Sequence, residues 1–307
     1  MTQHLIHVGY GKAGSTFLQA WFEGHPELLY APGGLGGFRD VYELSRAPGG
    51  THKYFVTSYE GLSMPVRSAG GIHLDFVSAR PTPETGAKEK QASVCAALKS
   101  LYPGSRVLII TRGFKGLIVS GYSECVRLGT RLHPDGVCEE FSKCLRVDDD
   151  HYWDFDYLIR LYGEAFGREN LIVMPYELLR DDQAGFLATL EERLGIGHAE
   201  VKFGRLNPSL SPEELYWYPL ISRAVSAAAS RLGGARFQKI YRWYVYRILN
   251  NNRLRPLTKA LRLLRPDAKI TGADFDDDIL KYCRGKASIL KGNPLYAPYA
   301  SDYLWDE

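Results

Sequence analysis

The chain has 307 residues, of which 45% are hydrophobic and 24% charged, and its formal net charge is +3. This composition excludes a disordered, collagenous or coiled-coil chain, and the length suffices for a large core without disulfide or metal staples. The small net charge hides an asymmetry. Residues 223–265 hold eleven Lys and Arg and no Asp or Glu, so the rest is net acidic.

HLIHVGY (4–10) is a short apolar run ending near glycine and predicts a buried strand. It has no basic leader and no small-residue cleavage site, so no secretory signal is expected. A glycine-rich turn follows, and Phe17, Leu18, Trp21 and Phe22 then fall at helical spacing. Residues 31–50 and 65–87 read as irregular, with a strand at 53–58 (KYFVTS) between them. A helix is predicted over 89–101. RVLIITR (106–112) is the clearest strand, a β-branched run between Pro-Gly and Gly. Helices follow over 115–128 and 150–167, then a strand over 170–176 and one helix over 178–196 ended by Gly195. From residue 213 the pattern turns helical, basic and aromatic, divided into two helices by Asn250 to Asn252 and Pro256.

This alternation predicts a three-layer α/β fold, a central mainly parallel sheet flanked by helices. It reads as one domain, with residues 1–212 as its core and 213–307 as a helical, basic C-terminal part. No window of about 18 apolar residues occurs, so no transmembrane helix is expected. Cys95, Cys125, Cys138, Cys144 and Cys283 are odd in number and lack CxxC spacing. They point to a reducing compartment, read as the cytoplasm, and away from a zinc site. The 20 tyrosines suggest an aromatic-lined cleft.

The sharpest feature is Gly9-Tyr10-Gly11-Lys12-Ala13-Gly14-Ser15-Thr16, set between the first strand and the first helix. A helix N-terminus offers unpaired N–H groups and partial positive charge, and glycines let the backbone wrap an anion. The loop is an anion cradle completed by Lys12 and two hydroxyls. It departs from Gly-x4-Gly-Lys-[Ser/Thr], because Ser15 follows Gly14 directly and Lys12 precedes it. The missing lysine argues against the first competing function, a nucleotide kinase or NTPase. The second competitor is a catalytically silent nucleotide- or glycan-binding protein.

GYGKAGSTFLQ resembles the 5′-phosphosulfate loop of sulfotransferases that use 3′-phosphoadenosine 5′-phosphosulfate (PAPS), with matches at Lys12, Gly14, Ser15 and Thr16. The second half of that signature is a strand ending in Arg with Ser eight residues on, and Arg112 and Ser120 supply it. Gly113-Phe114 departs from the family, where Pro or Gln often follows the arginine. An arginine at the carboxyl end of a strand faces the crevice where α/β sheets bind ligands, and its fork grips a phosphate.

The resemblance covers about residues 4–215 and implies a P-loop-like fold. It implies that Gly11, Lys12, Ala13, Gly14, Ser15 and Thr16 hold the 5′-phosphosulfate. Arg112 and Ser120 would hold the 3′-phosphate, and Tyr176 would lie near the adenine. The implied reaction moves a sulfuryl group to a hydroxyl or amine of a small-molecule, carbohydrate or glycolipid acceptor. Its product is adenosine 3′,5′-bisphosphate (PAP), and no metal is required. Lys12 would meet the charge on the leaving phosphate. The base would be Glu60, in a Ser-x-Glu pattern the family often carries after its second strand. His73 is the runner-up and Asp75 a weaker candidate. Asn207 and Ser209 would shape the pocket wall.

The stretch 236–265 interleaves Tyr241, Trp243, Tyr244 and Tyr246 with Arg242 and Arg247. It suits an anionic membrane surface, an acidic glycan, or a solvated helix pair with its aromatic stripe in the core. Nothing in it resembles a nucleic-acid recognition motif, so no nucleic acid is expected. Localisation is read as cytoplasmic, peripheral at a membrane surface if the stretch binds one. Arg284, Lys286 and Lys291 are a further basic set that would reach the nucleotide.

Overall fold

The structure is a computed structural model that describes residues 2–32, 52–63, 86–131, 151–201, 210–275 and 280–305. His73, Asp75, Asn207 and Ser209 lie outside the described residues, as do Cys138 and Cys144. Five strands form one sheet: β1 (Gln3–His7), β2 (Leu28–Leu29), β3 (Tyr54–Ser58), β4 (Arg106–Thr111) and β5 (Leu171–Pro175). Their order is β2-β3-β1-β4-β5, and every pairing is parallel. The flanking helices are α1 (Ser15–Gly24), α2 (Ala87–Leu101), α3 (Phe114–Arg127), α4 (Phe155–Phe166), α5 (Tyr176–Asp181) and α6 (Gln183–Leu194). The fold is therefore α/β with a parallel sheet flanked by helices. In β4, Val107 to Thr111 are all buried, as a parallel strand covered on both faces requires.

Strand order fixes where a site can form. From β1 the chain runs first to β2 and β3 on one side, then crosses to β4 on the other. The order thus reverses at β1, and ligands of open α/β sheets bind beyond the strand ends at such a point. His7 pairs with Ser58 in register, so β1 and β3 end level there.

Three local differences from the sequence reading have physical causes. β1 stops at His7, since Val8 to Tyr10 leave the strand while staying buried. β2 is two residues long and leaves no periodic trace. The helix expected over 178–196 is two helices, broken at Asp182, whose backbone is extended (φ −142°, ψ 80°). Its carboxylate accepts from Gly185 N at 2.9 Å. Aspartate competes for backbone donors in this way and so favours a cap over a helix interior. Gly195 closes α6 at φ 64°, as a C-terminal glycine does.

The tyrosines belong mostly to the core. Tyr10, Tyr54, Tyr122, Tyr162, Tyr218, Tyr241, Tyr296 and Tyr303 are fully buried. Several anchor backbone: Tyr54 donates to Leu194 O at 3.0 Å and Tyr122 to Leu215 O at 3.2 Å. A buried ring whose hydroxyl finds a backbone acceptor packs well, so much of the tyrosine abundance reflects the core.

The C-terminal part begins with α7 (Pro212–Ser230), opened by a Ser211–Glu214 capping box. Then come α8 (Gly234–Tyr244), a π-helical turn (Val245–Leu249) and α9 (Arg255–Leu264). Tyr241 donates to Gly129 O at 2.6 Å, and the Tyr244 and Ser222 hydroxyls lie 3.1 Å apart. α8 thereby docks on the end of α3 and on α7. Among the described residues no helix is long and apolar enough to cross a membrane.

Candidate functional site

The loop after β1 turns with positive φ at Lys12 (68°) and Gly14 (82°). Gly14 is required twice over. Its left-handed backbone suits glycine, and a Cβ there would come within 2.7 Å of Leu179 Cδ2 and 3.2 Å of Tyr176. Gly14 caps α1 without a side chain. Gly14 thus offers the first N–H groups of α1 no side-chain acceptor. Ser15 Oγ is buried with no hydrogen-bond partner among the described residues. The loop is braced from beneath, where Ser63 donates to Gly9 O at 2.8 Å and Gln91 donates to Ser63 O at 2.7 Å.

Arg112 reaches this loop. Its Nη1 donates to the Lys12 carbonyl at 2.6 Å, and its guanidinium stacks over the Tyr176 ring, 4.5 Å from the centroid. Burial pulls the Arg112 pKa below the ordinary arginine value. Tyr176, the first residue of α5, therefore touches both Gly14 and Arg112. One face of its ring holds a cation, a contact the sequence did not predict.

The turn that aims Arg112 rests on a buried polar network. The Thr111 hydroxyl lies 2.8 Å from Tyr296 Oη and 3.0 Å from Tyr303 Oη. Tyr303 donates to Glu177 Oε2 at 3.0 Å, and Gly113 N donates to Glu177 Oε1 at 3.0 Å. Burial raises the Glu177 pKa, against the hydrogen bonds from Gly113 and Tyr303 that favour its charge. A Cβ at Gly113 would overlap Asp302, whose carbonyl oxygen would stand 2.9 Å away. Residue 113 must therefore stay small, because the C-terminal segment crosses this turn.

On α3, Gly116, Ser120 and Glu124 recur every four residues and share a face. Arg112 Nε lies 3.2 Å from where a Gly116 Cβ would be. At the other end of the row, Glu124 Oε2 accepts from Lys12 Nζ at 3.0 Å. Half-buried Ser120 sits on this row between the two cations. Lys12, Gly14, Arg112 and Tyr176 are thereby brought together, with Ser120 on the helix row beside them.

Glu60 lies on the opposite side of the loop, in a 3-10 turn (Glu60–Leu62) after β3. A Cβ on Gly11 would stand 3.8 Å from Glu60 Oε2. Glu60 also lines a cleft of about 610 Å³ with Gln19, Tyr30, Val56, Ser58 and Tyr59. The cleft floor carries a network absent from the sequence reading. Ser58 Oγ lies 2.7 Å from His7 Nδ1 and accepts from Gln19 Nε2 at 3.4 Å. Burial pushes the His7 pKa down to about 3, so this ring is neutral.

Sequence reasoning missed Glu124, Glu177, Tyr303 and His7 as parts of the site. Glu124 carried a signal, standing four residues beyond Ser120 on a helix. Tyr303 carried none, since it meets Glu177 across 126 residues of chain. Of the further basic set, Lys286 Nζ lies 3.8 Å from Asp154. No protein-family model matches the chain, and no curated protein matches it.

Proposed function

We propose that this chain is a sulfotransferase on a P-loop-like fold, moving a sulfuryl group from PAPS to a hydroxyl of a small-molecule or carbohydrate acceptor. One contact carries the reading: Arg112 Nη1 on the Lys12 carbonyl at 2.6 Å. It brings two motif pieces 100 residues apart in sequence into contact, which supports a carrier phosphorylated at both ends. The sheet order supports it, because the glycine loop follows the strand at which the order reverses.

The residues present fit the donor. An uncapped helix start and the orphaned Ser15 Oγ suit one phosphate, and the half-buried Arg112 with Ser120 suits the other. Bound there, PAPS supplies an activated sulfuryl group for in-line transfer. Glu60 accepts the acceptor's proton as the acceptor oxygen bonds sulfur. Lys12 and the N–H groups of 13–16 meet the charge left on the 5′-phosphate as its bond to sulfur breaks. Lys12 must exchange Glu124 for that phosphate, so its ammonium is held within reach beforehand. The cleft at Glu60 offers room for the acceptor beside the base.

The test compares ligands by thermal unfolding. PAP at about 100 times its Kd stabilises the fold by ~2.7 kcal/mol, and ATP with Mg²⁺ at the same concentration does not. Preference for ATP would return the chain to the kinase class.

A further inference from the structure

α9 is an amphipathic helix set inside out. Its inner side is polar: Arg255 pairs with Glu214 (2.8 Å), Arg262 pairs with Glu213 (3.2 Å), and Thr258 is buried. At 100° per residue, Leu257, Ala260 and Leu264 point the opposite way. Leu257 is 45% exposed, Leu264 82% and Leu263 85%. α8 and the π-helical turn do the same in part. Tyr241, Tyr244, Val245 and Leu249 face inward, while Ile240, Trp243 and Tyr246 stand exposed. Arg236, Lys239, Arg242, Arg247, Lys259 and Arg265 are all exposed beside these apolar groups. Between Glu214 and Asp267 the sequence holds no acidic residue.

We infer that the outer faces of α8 and α9 dock on an anionic lipid surface. Two demands select this occupant. The leucines need an apolar phase, which a soluble polyanion does not offer. The cations need anions, which a second copy of this face does not offer, since it repeats the same charge. A bilayer with acidic headgroups meets both demands, and apolar burial with a polybasic patch are the two signals that together hold a protein at a membrane.

The experiment is co-sedimentation of the full chain with vesicles of phosphatidylcholine alone or with about 30 mol% phosphatidylglycerol. Binding is expected only to the acidic vesicles, weakening as salt rises. The double variant Leu263→Ser/Leu264→Ser should lose about ten-fold in vesicle affinity. Arg242→Glu/Arg247→Glu should lose at least as much. Both variants should keep the wild-type unfolding temperature, which separates lost docking from lost folding. Equal binding to neutral vesicles, or no binding to acidic ones, overturns the inference. So does unchanged vesicle affinity in the leucine variant, leucine-dependent dimerisation without vesicles, or tighter binding to an oligonucleotide than to acidic vesicles.

Discussion

At the β1 loop the cations are held, whereas on the outer faces of α8 and α9 they stand exposed. Lys12 is fixed by Glu124 at 3.0 Å, and Arg112 is pinned between the Lys12 carbonyl and the Tyr176 ring. The arginines and lysines of the outer helical face stand in solvent beside exposed leucines. Both regions carry positive charge, yet the two arrangements suit different anions. A pinned cation in a shaped crevice recognises one geometry, whereas a spread of mobile cations recognises charge density. Composition alone merges the two, because it counts charges without their partners.

The largest expected effect separates the regions through catalysis. Lys12→Ala should lower sulfuryl transfer by about 10²–10³-fold while weakening PAP much less, because its charge counts most in the transition state. Initial rates alongside calorimetric binding measure this. Equal losses in rate and affinity would make Lys12 a plain binding residue, like those of the outer face.

Arg112→Ala comes next, with a loss of about 10–100-fold in PAP affinity, the worth of hydrogen bonds to a charged group. An analogue without the 3′-phosphate should bind the variant and the wild type nearly alike. If both ligands weaken equally, Arg112 braces the loop through Lys12 O and does not grip that phosphate. Arg112→Lys should not restore PAP binding, since a point charge lacks the guanidinium fork.

The last effect is on stability and belongs to the histidines of β1. Burial lowers the pKa of His4 to about 4 and of His7 to about 3. Unfolded histidine binds its proton near pH 6.5, so below that pH the unfolded chain takes up more protons. The contribution of these neutral rings is complete above pH 6.5 and declines as the pH falls toward 4 and then 3. The slope approaches about 1.4 kcal/mol per pH unit for each ring. Urea unfolding at pH 7 and pH 5 checks it, and His7→Gln should flatten the slope. An unchanged slope in that variant would show that His7 does not carry the term.

Much of the site was legible because its signals are local. Gly9 to Thr16 are consecutive, so their spacing states the geometry of the loop. Arg112 and Ser120 were legible as a strand end and a helix face eight residues apart. Glu177 and Tyr303 were not, since a buried acid and a buried phenol read like many others until a distant chain segment joins them. His7 read as an ordinary strand histidine, and only the Ser58 hydroxyl on the neighbouring strand gives it a role. The basic stretch was visible as charge, but which face α9 turns outward was not. An amphipathic helix normally buries its leucines, and here Glu213 and Glu214 claim the opposite side.

The alternation of apolar runs determined the α/β class, because strand and helix periods differ along the chain itself. The glycine loop was legible as a strand-to-helix turn rich in backbone donors, because its eight residues are consecutive. Tertiary structure alone decided that Arg112 meets Lys12, that Glu124 holds the lysine, and that the C-terminal tyrosines carry the turn beneath them. Those contacts depend on which strands become neighbours, and neighbours in a sheet are set by packing across the whole core.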